Sequence, residues 1–203
     1  MKDLAWIFGK SSDFSQKIVE ELQTRDISVY QFGRENLNYE DFNAFRMMKV
    51  LPDIVILNAN IEERIALQIN KDNFYDFNSQ DIKDMFDEYA PVFLFFTKLI
   101  KWLESQGKGV KLCAISSSIT AWPHKSNEYI MYSVLRSMLQ QVVFSASSNV
   151  TTAFCVSPSG IDTNNKQNYA KRIVDLTLDS TDLKLIDLSI EGDIIDLERY
   201  KNE

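Results

Sequence analysis

Three observations predict an α/β protein in which helices cover both faces of a parallel, doubly wound sheet, three layers in all. Short β-like runs alternate with longer helix-like ones along the chain, the pattern of strands joined by helical crossovers. The order strand, helix, strand starts at once, with Leu4–Phe8, Phe14–Thr24 and Ile27–Phe32. Asp53–Leu57 is continuously apolar after its aspartate, as a strand is when both its faces are buried.

Within Phe14–Thr24, Ile18, Val19 and Leu22 recur at helical spacing and mark the inward stripe. A short helix over Phe42–Val50 leads to the Asp53–Leu57 strand. Residues 61–80 are polar, rich in asparagine and weakly periodic, so an irregular insertion is expected there. Ile82–Gln106 reads as a long helix carrying Pro91, which has no N–H for the ladder and should kink it. Lys111–Ile115 is a strand, Tyr132–Ser145 a helix, Thr151–Val156 a strand and Tyr169–Leu178 a helix. Leu183–Ile186 is strand-like, and Asp193–Leu197 is a further extended candidate. No repeat or low-complexity linker divides the chain, so 1–203 is read as one domain with six or seven parallel strands.

Composition bounds the function. A chain of 203 residues, 45% hydrophobic and 25% charged, can bury one sizeable core. A net charge of -7 and no basic stripe argue against a nucleic-acid partner. No apolar run reaches the roughly 18–20 residues of a membrane span. Asp3 interrupts the place where a secretory signal would continue its apolar region. A soluble, cytoplasmic protein is expected. Cys113 and Cys155 lie in predicted strands without metal-ligand spacing and read as small buried hydrophobes. The one histidine, His124, reads as a loop residue, and no metal is assigned.

In Tyr132-Ser-Val-Leu-Arg136 a phenol and a guanidinium stand one helical turn apart on one face, where the cation can act on the oxygen. Five stretches run in order along the chain: FGKSSDFSQKIVEEL, VYQFGR, DIVILNAN, ISSS followed by YSVLR, and VSPSGIDT. Together they resemble the short-chain dehydrogenase/reductase family, a Rossmann-type family, collinearly over nearly the whole chain. They stand at that family's glycine-rich turn, the end of its second strand, its NNAG strand end, its catalytic serine and YxxxK helix, and its PGxxxT segment beside the nicotinamide.

The resemblance implies a dinucleotide held by Gly9, Ser11, Ser12, Ser15, Arg34, Asn58, Ala59, Tyr132, Arg136, Pro158, Ile161 and Thr163. Arg34 stands where NADP-preferring members often place an arginine for the 2′-phosphate, and no acidic residue is read there to select NAD. NADP is therefore expected over NAD. Of the glycines in the phosphate turn only Gly9 remains, Asp13 and Ser15 taking the other two places, with Ser159 in the later glycine position. Asp13 could cap the helix itself, with Gln16 completing a capping box, and so exclude a phosphate. Lys10, Ser11 and Ser12 offer a cation and two hydroxyls to the same turn.

For catalysis the resemblance implies Tyr132 as acid/base, Arg136 in place of the lysine that lowers the tyrosine pKa, and Ser118 to orient the carbonyl. Thirteen residues before Tyr132 stands Ile119, so Ser118 needs a one-residue insertion and Ser117 two. Tyr129 keeps that spacing to Ser116, but Ser133 rather than a cation follows it by four. Tyr89 takes the place of the family asparagine.

Only 23 residues separate Arg34 from Asn58, so a third strand and its helix are trimmed and the adenine pocket shortened. The segment after Thr163 is also short, which implies an open site for a small-molecule substrate. Two readings stand: an oxidoreductase moving hydride between NADP(H) and a small carbonyl or alcohol, and a catalytically silent relative serving as a binding or assembly module. The helices APVFLFFTKLIKWL and YSVLRSMLQQVVFSA have apolar residues to spare for a second face. In the family they form a four-helix bundle between subunits, which implies a homodimer or homotetramer.

Overall fold

The computed structural model describes residues 2–10, 12–48, 50–58, 78–116, 130–146, 152–158, 161, 164–179, 185–188 and 194–196. In chain order the elements are β1 (Leu4–Phe8), α1 (Asp13–Thr24), β2 (Ser28–Phe32), α2 (Phe42–Phe45), β3 (Ile54–Leu57) and α3 (Ser79–Ser105). They continue with β4 (Lys111–Ile115), α4 (Ile130–Phe144), β5 (Thr152–Pro158), α5 (Lys166–Leu178), β6 (Leu185–Leu188) and β7 (Ile194–Asp196). Most of the predicted insertion lies outside the described residues, and α3 starts within its last positions. That helix runs unbroken through Pro91.

Seven strands make one sheet in the order β2-β1-β3-β4-β5-β6-β7. The first six are parallel, whereas β7 pairs antiparallel with β6. The parallel sheet of six or seven strands expected from the sequence is met by the first six, and the seventh runs the other way. Only residues 189–193 join β6 to β7, too few for a helical crossover, whereas antiparallel neighbours need only a short link. The chain leaves β1 toward β2 on one side and sets β3 on the other, so the carboxyl end of β1 lies where strand order reverses.

Alternation along β1 builds two cores from one strand. Ala5 and Ile7 face α1 and α5, among Ile18, Leu22, Phe154, Tyr169 and Ile173. Leu4, Trp6 and Phe8 face the other layer, among Phe45, Phe95, Phe96, Leu99, Leu135 and Leu139. With β2 at the sheet edge, one turn of helix must close this layer at that side. Its anchor is Phe45, whose ring lies 5.4 Å from Trp6, 5.9 Å from Phe8 and 5.0 Å from Phe95. Asp41 accepts a hydrogen bond from the Ala44 N–H and caps that turn.

Candidate functional site

The strand register sets the site. Phe8, Leu57, Ala114 and Cys155 pair across β1, β3, β4 and β5, so Gly9, Asn58, Ile115 and Val156 form a row along the carboxyl rim. Gly9 has φ +124°, and a Cβ there would lie 1.9 Å from the Asn58 carbonyl oxygen. Only glycine lets the two backbones approach so closely. The Asn58 side chain donates to Ser15 Oγ at 2.7 Å, tying the first turn of α1 to the end of β3. Ser15 is fully buried. Its hydroxyl thus shapes the turn from behind, where a small residue is needed for close packing of helix on strand.

At the front of the turn Ser12 is the N-cap of α1 and makes no side-chain cap bond. The self-capped reading of Asp13 does not hold. Its carboxylate, 70% exposed, pairs with Lys166 at the start of α5, and Gln16 donates instead to the Lys10 carbonyl at 3.1 Å. Asp13 is the first helical residue rather than the N-cap, so the cap side-chain position belongs to Ser12. The hydrogen bond and charge of Lys166 hold the Asp13 carboxyl below its ordinary range.

Beyond β2 the chain turns at Gly33, with Asn36 N–H donating to its carbonyl at 3.0 Å. Arg34 pairs with Glu88 of α3 at 2.9 Å, and Lys10 with Glu35 at 3.5 Å. The Glu35 carboxylate folds back over Gly33, within 2.4 Å of where a Cβ would stand. An acidic group does therefore occupy the end of β2, which corrects the reading that none is there. A cleft of about 680 Å³ opens beside it, lined in part by Arg34, Glu35, Asn38, Tyr39, Glu88 and Val92. Burial pushes the Tyr39 hydroxyl up to about 12 against the charge of Arg34.

At the other end of the row α4 lies against β4. Arg136, only 3% exposed, donates from Nη1 to the Ile115 carbonyl at 2.9 Å. One turn on, Gln140 donates to Ser116 Oγ at 2.9 Å, and both side chains are buried. Tyr132 is placed by the helix backbone one turn before Arg136 in the same stripe. The Tyr132 side chain lies outside the described residues, as do Ser11, Ala59, Ser117, Ser118, Ile119, His124, Tyr129, Ser159 and Thr163. Tyr89 is buried in the apolar layer of α3, Pro158 ends β5 beside Leu188, and Ile161 is exposed. Sequence reasoning passed over Glu35, Gln140 and Lys166. Of these, Gln140 was within reach, being four residues beyond Arg136 on the same helix face.

Among the described residues no cluster of three or more His, Cys, Asp or Glu could hold a metal ion. No helix among them is long and apolar enough to cross a membrane.

No protein-family model matches the chain, and no curated protein matches it in sequence. Solved structures do match it in fold. A short-chain type dehydrogenase/reductase from Mycobacterium ulcerans superposes with a TM-score of 0.70 at 12% identity, over 98% of this chain and 94% of that one. A small-chain dehydrogenase in complex with NADPH gives 0.65 at 14% identity, covering 95% and 99%. The 3-ketoacyl-(acyl-carrier-protein) reductase from Brucella melitensis, complexed with NADH, gives 0.66 at 13% identity, covering 94% and 97%.

Proposed function

We propose that this chain, whose Rossmann-type fold is that of the short-chain dehydrogenases/reductases it superposes on, is a divergent relative of them and an oxidoreductase transferring a hydride between a nicotinamide dinucleotide, NADP(H) in preference to NAD(H), and a small carbonyl or alcohol. The observation that carries this reading is the buried Arg136 at the end of β4, one helical turn from Tyr132 and on the same rim as the Gly9–Asn58 joint. A buried guanidinium is costly to keep unless hydrogen-bonded, and one helical turn from Tyr132 its charge would favour a phenolate.

The residues fit the dinucleotide. Gly9 leaves a backbone cradle that a side chain would fill, and the Ser12 side chain makes no cap bond to the first turn of α1. Gly9, Ser11 and Ser12 would hold the phosphates against the helix N-terminus, with Asn58 and Ala59 at the adjoining strand end. Arg34 would take the 2′-phosphate, and Pro158, Ile161 and Thr163 would border the nicotinamide. Arg34 and Lys10 sit in solvent-exposed ion pairs worth about 0–1 kcal/mol, so a phosphate can displace their carboxylate partners at little cost. When bound, the dinucleotide supplies or accepts the hydride. Tyr132 gives a proton to the carbonyl oxygen or takes one from the alcohol, Arg136 stabilises its phenolate, and Ser118 holds the substrate oxygen.

One observation favours the rival, catalytically silent reading: Arg136 Nη1 is engaged by the Ile115 carbonyl. Thermal shift separates the two. A ligand at a hundredfold excess over Kd stabilises the folded state by about 2.7 kcal/mol. Millimolar NADP(H) should raise the melting temperature by a few degrees and NAD(H) by less, with Arg34→Ala shrinking the difference. No shift with either nucleotide would leave the silent module as the better account.

Assembly and compartment belong to the same proposal. An apolar groove of about 680 Å³ between α3 and α4 is lined in part by Phe93, Leu94, Val134, Met138 and Val142, with Leu94 59% exposed. It suits a homodimer or homotetramer contact, and light scattering at tens of micromolar that gives a monomer would remove this part. The cytoplasm is the proposed compartment, where two buried, unpaired cysteines are at home.

A further inference from the structure

We infer that Lys166 is a positioning residue for phosphate: it holds the Asp13 carboxylate aside and so keeps the N-terminus of α1 open to an anion. The inference rests on the dinucleotide reading and assigns that site a residue outside its motifs. Helices α1 and α5 pack on one face of the sheet and each links two parallel strands, β1 to β2 and β5 to β6, so they run in the same sense, with Gln167–Glu21 and Arg25–Asp175 contacts between them, both at 2.5 Å. Their N-termini therefore share the rim, and Asp13 and Lys166, the first residue of each, meet there.

Each charge has a physical reason to seek the other. A cation in the first turn of a helix opposes the macrodipole, and α5 has no acidic residue in that turn to offset Lys166. Asp13 is the reverse case. A carboxylate at the start of α1 is favoured by the dipole and, left unpaired, would settle against the N–H groups that an incoming phosphate needs. Of the other nearby cations Lys10 pairs with Glu35 and Lys17 with Glu20. Lys166 is the cation hydrogen-bonded to Asp13, and Ser12, the N-cap, makes no side-chain cap bond. Acting through Asp13 rather than on the ligand, Lys166 compensates for an aspartate in a glycine's place.

The test is a mutant cycle read with two probes, NADPH and inorganic pyrophosphate, titrated against wild type, Lys166→Ala, Asp13→Asn and the double variant. Lys166→Ala should weaken both probes roughly five- to tenfold, the scale of one unit charge released beside a surface phosphate. In the Asp13→Asn background the same substitution should cost less than twofold, and Lys166→Arg should retain wild-type affinity. Equal loss in both backgrounds would mean that Lys166 touches the phosphate itself, and no loss in wild type would mean that it does nothing there. Either result overturns the inference. If pyrophosphate shows the coupling while NADPH fails to bind, the role of Lys166 stands and the oxidoreductase reading falls. If neither probe binds wild type or Asp13→Asn, both fall together.

Discussion

Replacing Gly9 by alanine places a methyl group where the rim has no room. The φ of +124° belongs to a region held almost wholly by glycine, and a side chain forced into it costs about 1–3 kcal/mol. The new Cβ would also lie 1.9 Å from the Asn58 carbonyl oxygen, which Asn58 cannot yield while its side chain is bonded to buried Ser15. Relieving such overpacking costs typically about 1–3 kcal/mol more. The two effects predict a loss of roughly 2–6 kcal/mol, or a melting temperature lower by about 4 °C or more for a chain of this size. Calorimetry on Gly9→Ala checks this against Gly107→Ala, where φ is +66° but a Cβ would meet nothing within 4 Å. The difference between the variants isolates the close approach to Asn58. If Gly9→Ala is no more destabilised than Gly107→Ala, the joint between the phosphate turn and β3 is not tight and the reasoning is wrong.

Phe45→Ala should cost about 3–5 kcal/mol despite lying in a one-turn helix, because the ring closes the aromatic layer over Trp6 and Phe8; loss below 1 kcal/mol in urea unfolding would contradict this packing. Glu35→Gln should shift nucleotide preference toward NADP(H) by severalfold in paired titrations, since it removes a carboxylate from the end of β2 and releases Lys10; unchanged preference would place the 2′-phosphate elsewhere. Burial pushes Cys113 up to about 12 from an ordinary 9.0, and Tyr39 likewise to about 12 from 10.0. With folded values above unfolded ones, this stability is whole below about pH 9 and is lost as pH rises toward 12. Unfolding free energy should therefore be flat from neutral pH to about pH 9 and fall beyond it, with a thiol reagent inert toward the native protein at pH 8.

Much of the fold was legible because burial leaves its mark on composition. Leu4–Phe8 and Lys111–Ile115 match the expected strands residue for residue, being short apolar runs with polar residues at their ends. The start of α3 was missed although a signal existed: Asn78 Oδ1 accepts from the Gln80 N–H, an N-cap inside a segment read as irregular. The direction of β7 was not legible, because it follows from the brevity of the link after β6 rather than from the strand's own residues.

At the site, proximity in the chain divided what could be read from what could not. Gly9 and Asn58 were placed together by the end-of-strand pattern, and Arg136 by its spacing from Tyr132. The partner of Asp13 lies 153 residues away, and no local pattern names it. Glu35 was overlooked because the turn at Gly33 folds it back to the strand end, a geometry that counting along the sequence does not show.

The central claim is that Tyr132 moves a proton while a bound dinucleotide supplies or accepts a hydride. Its most direct test is the fall in NADPH absorbance when a panel of small aldehydes and ketones is added to the wild-type protein and to Tyr132→Phe. The account predicts carbonyl-dependent oxidation of NADPH by wild type and a loss of at least about a hundredfold in Tyr132→Phe, with a much smaller loss of nucleotide affinity, as befits removal of a general acid. Oxidation that persists at the wild-type rate in Tyr132→Phe, or bound NADPH that no carbonyl in the panel consumes, would contradict it.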